Sequence, residues 1–137
     1  MFPIKDENPT ETKSYITVIL IVINIFVYFY QSSLTGGENY NLILQYGFKP
    51  ADFFSLHTNE YYNISPFLTI WTSMFMHGGF FHLLGNMLFL WIYGNNIEDS
   101  MGHIKFLVFY LICGFAAALL QAIVSPGSST PMIGASG

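Results

Sequence analysis

The sequence has 137 residues, 53% of them hydrophobic and only 9% charged, with a formal net charge of −4. That leaves too little polar surface to clothe a soluble domain of this length, so the preferred solvent is lipid. Four lysines (Lys5, Lys13, Lys49 and Lys105) and no arginine argue against a nucleic-acid partner, and the single cysteine, Cys113, excludes an internal disulfide and reads as a small packing residue.

Residues 1–14 contain Asp6, Glu7, Glu11 and two prolines, and no small-residue cleavage pattern follows, so they read as a retained cytoplasmic leader. The apolar run over 15–31, with Asn24 as its only strongly polar interior member and tyrosines at both ends, predicts a first membrane span, with Gln31 as a flanking extension. Residues 32–79 form a long first loop in which Leu42, Ile43, Phe48, Phe53 and Phe54 recur among Gly, Asn and Tyr. That mixture predicts packing against the membrane surface. An interfacial helix is expected near 67–76, broken by Gly78-Gly79. A second span is expected over 80–97, its apolar part closing at Tyr93, with Asn95, Asn96, Glu98, Asp99, Ser100 and Gly102 making a turn. A third span covers 104–124, where Gly114 and Ala118 supply a small-xxx-small stripe for close helix contact. Pro126, Gly127 and Pro131 end it. Lys5, Lys13 and Lys105 fall on one side of these spans, against Lys49 in the first loop, which places the N-terminus in the cytoplasm of a multi-pass protein of the plasma (inner) membrane. Residues 15–137 are thus expected to be the N-terminal part of one all-α helical bundle, with three complete transmembrane helices and the start of a fourth.

Two features carry chemistry. His82 and Asn86 are four residues apart, so they share one face of the second span, and neither belongs in lipid. That face reads either as a structural hydrogen-bond pair or as a functional site. Gly134-Ala135-Ser136-Gly137 is a G-x-S-G sequence after a Pro/Gly-rich loop. Flanking glycines let the backbone turn sharply and expose a serine hydroxyl, although short runs of Gly, Ala and Ser also occur in ordinary loops. Together they supply a serine and two side-chain donors of the kind that stabilise a tetrahedral oxyanion.

The stretch TSMFMHGGFFHLLGNMLFLWIYGNNIEDSMGHIKFLVFYLICG, followed one helix later by GASG, resembles the rhomboid family of intramembrane serine proteases from about Phe67 to Gly137. The resemblance implies a Ser-His dyad, six or more transmembrane helices, and no metal or cofactor. It implies Ser136 as nucleophile at the start of the fourth helix. His82 and Asn86, with the Ser136 amide, would form the oxyanion hole, and His77 and Glu98 would hold structural roles. Single-span membrane proteins are the implied substrates. The family often carries an arginine in the first loop, which is absent here. Its general base comes from a histidine on the sixth helix, so the dyad is expected to be completed from beyond Gly137, and these residues alone are expected to be inactive. His103 follows the second span on the inner side, and His57 reads as a solvated loop residue. Competing readings are a metal site on His77, His82 and His103, a transporter with a broken helix at Gly78-Gly79, and a catalytically inactive rhomboid-like protein that binds membrane clients.

Overall fold

The computed structural model describes residues 13–55 and 64–134. Six helices follow in chain order: α1 (Tyr15–Ser33), α2 (Gly36–Tyr46), α3 (Pro50–Ser55), α4 (Pro66–Ser73), α5 (Phe80–Met101) and α6 (His103–Val124). The long helices α1, α5 and α6 pack on one another, and the short helices α2, α3 and α4 gather around one end of them.

α1 is built opposite to a helix of a water-soluble protein. Three of its four buried residues, Thr17, Asn24 and Gln31, are polar, and Leu20 is the fourth. Its exposed residues include Ile19, Val22, Phe26 and Phe29. The outward face of α6 is likewise apolar, with Ile104 at 74% and Ile123 at 70% exposure. Contiguous exposed apolar surface of this extent suits a bilayer.

Among the described residues, α1 and α6 are long and apolar enough to cross a membrane. At about 1.5 Å per residue they span roughly 28 and 33 Å, the thickness of a hydrocarbon core. Of the three complete spans plus the start of a fourth that were expected, two therefore qualify by length and hydropathy among the described residues. α5 matches α6 in length at 22 residues, but His82, Asn86, Asn95, Asn96, Glu98 and Asp99 keep its mean hydropathy below that of a span. Residues 135–137 lie outside the described residues.

Two further expectations change. The turn expected from Asn95 to Gly102 is helix as far as Met101. Asn96 Nδ2 donates to the Ile92 carbonyl one turn back at 3.2 Å, and Glu98 is buried against α1, so these polar side chains are satisfied without leaving the helix. The helix stops at Gly102, whose φ of +82° is left-handed and favours glycine. The described residues of the first loop are largely helical. Thr35 and Glu38 form a reciprocal capping box that starts α2, and the interfacial helix expected near 67–76 is α4, which begins at Pro66 and ends at Ser73.

α6 closes the core with small residues. Ala118 and Ala122 are buried with Phe48 and Ile70, and Phe53, Phe115 and Met132 pack around them. A Cβ on Gly114 would fall inside the van der Waals envelope of the Met74 sulfur and methyl. The small-residue stripe thus receives α3, α4 and the chain after α4.

Candidate active site

The site lies where α1 and α6 end and α5 begins. Beyond α6 the chain turns back and is held by the first loop. Phe48 and Met132 form an antiparallel bridge, with Met132 N–H donating to the Phe48 carbonyl at 2.7 Å and Phe48 N–H to the Met132 carbonyl at 3.1 Å. Ala51 N–H donates to the Ser128 carbonyl at 3.0 Å, and Gly134 N–H donates to the Ser73 carbonyl at 2.8 Å.

These bonds press Gly134 onto α5. Its φ is +105°, and a Cβ built there would lie 2.6 Å from His82 Cε1, 2.7 Å from His82 Nε2 and 3.4 Å from Asn86 Nδ2. Only a residue without a side chain fits both the conformation and the space. Gly134 thus faces, at the distance of a missing side chain, the two side chains that the four-residue spacing put on one face of α5.

His77 completes the cluster from the segment between α4 and α5. It is 2% exposed, and its ring meets that of His82 edge to face at a centroid distance of 5.2 Å. Asn86 Nδ2 lies 3.0 Å from His77 Nε2. An amide NH2 can only donate, so Nε2 carries the lone pair and the imidazole proton sits on Nδ1. Nδ1 is buried without a partner in hydrogen-bond geometry. Burial first, and the facing His82 second, lower the His77 pKa to about 4, with the Phe75 backbone acting in the opposite direction. His77 is therefore a neutral acceptor near pH 7. Since Asn86 Nδ2 has two protons and His77 takes one, the second remains for another acceptor.

His77 is fixed from behind by Gln31 of α1, the residue that flanks the apolar run. Its Oε1 accepts from His77 N–H at 3.0 Å, and its Nε2 donates to the His77 carbonyl and to Asn39 Oδ1, each at 3.3 Å. A polar residue at the end of an apolar run carries no sequence mark that distinguishes such a clamp from an interface residue.

Glu98 and His103 lie at the other end of the bundle, twelve residues along α5 from Asn86 in the case of Glu98, or about 18 Å. The Glu98 carboxylate is fully buried and accepts from Ile16 N–H at 2.9 Å, Thr17 N–H at 2.8 Å and Thr17 Oγ1 at 2.7 Å, and it pairs with His103 Nδ1. His103 is therefore remote from His77 and His82. Among the described residues no three His, Cys, Asp or Glu side chains are grouped as metal ligands would be. Ser136 and His57 lie outside the described residues. An apolar groove of about 250 Å³ runs down from Asn86 between α5 and α6, past Phe89, Tyr93, Phe106 and Tyr110.

The fold is an all-α bundle with an outward apolar surface and a buried polar cluster at one end, sealed by a glycine that precedes a serine. Residues 65–137 match the family model described as the Rhomboid domain, and the chain belongs to the rhomboid family. It is 36% identical over 112 residues to Rhomboid protease AarA of Providencia stuartii, covering 78% of this chain and 36% of the relative. It is 35% identical over 71 residues to RHOMBOID-like protein 6, mitochondrial, of Arabidopsis thaliana, covering 48% and 23%. Rhomboid protease GluP of Bacillus subtilis (strain 168) is 27% identical over 125 residues, or 91% and 22%. The chain thus spans between about a fifth and about a third of the length of these curated relatives. No solved structure gives a significant match.

Proposed function

We propose that this chain carries the nucleophile and the oxyanion-binding face of an intramembrane serine endopeptidase that cleaves transmembrane segments of membrane proteins. In this reading α1, α5 and α6 are three spans of a multi-pass protein of the plasma membrane, residues 1–14 are a cytoplasmic leader, and α5 crosses because its polar residues face protein. The observation that carries the reading is the close approach of Gly134 to His82 and Asn86, which leaves no room for a side chain there. It brings the backbone two residues before Ser136 against the side chains suited to donate to a developing oxyanion.

Ser136 Oγ attacks the scissile carbonyl, and His82, Asn86 and the Ser136 amide receive the negative oxygen. Losing one such donor typically raises the barrier by about 3 kcal/mol. His77 holds Asn86 in its donating orientation. The proton of Ser136 goes to a histidine that matches none of His57, His77, His82 or His103 by position in the family pattern, and from it to the amine that leaves as the C–N bond breaks; water then hydrolyses the acyl-enzyme and frees Ser136.

Covalent labelling tests the assignment. The full-length protein in detergent is expected to take up a fluorophosphonate probe on Ser136, with the label lost in Ser136→Ala and retained in a His103→Asn variant that remains folded. Equal labelling of parent and Ser136→Ala would remove Ser136 from the mechanism.

A further inference from the structure

Asn86 can donate to an oxyanion only if its amide is held, and its holder is the His77 ring. That ring belongs to a segment with no ladder of its own, since α4 ends at Ser73 and α5 begins at Phe80. What fixes the backbone there is the Gln31 amide. It makes both bonds to the His77 peptide groups, the pairing a neighbouring strand would otherwise supply. Gln31 is itself 2% exposed, so it is held in a single arrangement by the same bonds.

We propose that Gln31 is a positioning residue for the oxyanion-binding face: by clamping the His77 backbone it sets the His77 ring against the Asn86 amide. The inference rests on the protease reading for its kinetic consequence but not for its structural one. The path is continuous from Gln31 on α1 through the His77 backbone and ring to Asn86 Nδ2 at 3.0 Å, which lies 3.4 Å from where a Gly134 side chain would begin. A simpler role for Gln31, tying α1 to the first loop, is carried by its separate bond to Asn39 of α2. The two roles can therefore be separated by mutation.

The experiment compares Gln31→Ala, Gln31→Glu and Asn39→Ala in the full-length protein, each alone and with His77→Ala, at a temperature where all remain folded. Gln31→Ala is expected to lower kcat on the order of tenfold with KM nearly unchanged, because an interaction serving only the transition state is weakened. Gln31→Glu keeps the acceptor for His77 N–H and loses the donor to its carbonyl, so an intermediate loss is expected, and it serves where the alanine variant fails to fold. Asn39→Ala is expected to leave kcat within about twofold, the small end of mutational effects. In the His77→Ala background, Gln31→Ala is expected to cause no further loss. An equal loss in both backgrounds, or parental kcat in both Gln31 variants, overturns the proposal. NMR of the Asn86 side-chain amide provides a second readout independent of activity. Its resonances should move in Gln31→Ala and stay in place in Asn39→Ala, and unmoved resonances in Gln31→Ala also overturn the clamp. Persistent cleavage by Ser136→Ala with a shifted Asn86 signal would instead overturn the protease reading and leave the clamp standing.

Discussion

The two ends of α5 carry buried polar groups to opposite effect. At the Glu98 end a carboxylate is saturated by two backbone amides, a hydroxyl and an imidazole, all from other elements or from the next helix. At the His82 end, Asn86 Nδ2 gives one proton to His77 Nε2 and keeps a second, and Gly134 lies where any side chain would collide with the His82 ring. A saturated cluster locks helices together; a cluster with donors left over can receive a further oxygen. The same chemistry of buried polar side chains therefore serves stability at one end and is available for function at the other.

Mutations should separate these ends. The largest expected effect on stability is at Glu98. Glu98→Ala strands the first amides of α1 and the Thr17 hydroxyl, and roughly 3 kcal/mol of stability should be lost, read as a lowered thermal midpoint in detergent. Cleavage by the folded fraction should survive. If instead cleavage disappears while stability is untouched, the comparison between the ends is reversed.

Gly134→Ala comes next and acts on function first. The new methyl would collide with the His82 ring in a backbone conformation that costs alanine on the order of 1–2 kcal/mol. The segment should lift from α5, with at least a tenfold loss of cleavage and a smaller loss of stability; unchanged cleavage would show that the glycine contact is incidental. Gly114→Val overfills the space held by Met74 and should cost about 2 kcal/mol. Adding Met74→Ala is expected to recover part of it.

A smaller effect follows pH. The His77 pKa is about 4 in the folded protein and near 6.5 when unfolded, so between these values the unfolded chain binds more protons. Stability from this residue is then complete above pH 6.5 and declines as pH falls toward 4. Thermal midpoints across that window should slope less steeply in His77→Gln than in the parent. The smallest effect is expected for Asn24→Leu in α1. Asn24 Nδ2 donates to the Leu20 carbonyl one turn back, and its side chain also faces the Tyr110 hydroxyl of α6. The change should shift stability by less than about 1 kcal/mol.

Much of this architecture was legible in the sequence. The limits of α6 followed from an apolar run bounded by Gly102 and Ser125-Pro126. The shared face of His82 and Asn86 followed from helical spacing, whereas of the G-x-S-G segment only Gly134 lies among the described residues. The extension of α5 from Glu98 to Met101 was not legible, because Glu, Asp, Ser and Gly in succession read as a turn until their partners across the bundle are known. α2 was legible in principle from Thr35-x-x-Glu38, a capping-box pattern ahead of an apolar run. The contact of Gly134 with His82 and the clamp of Gln31 on His77 join residues more than forty positions apart, and no local pattern reports such pairs.

The central claim is that the segment sealed onto His82 and Asn86 by Gly134 delivers a serine nucleophile. The most direct measurement is cleavage of a labelled single-span membrane protein by the full-length protein in liposomes, parent against Ser136→Ala. The account predicts cleavage by the parent and background levels in the variant; undiminished cleavage by Ser136→Ala would contradict it.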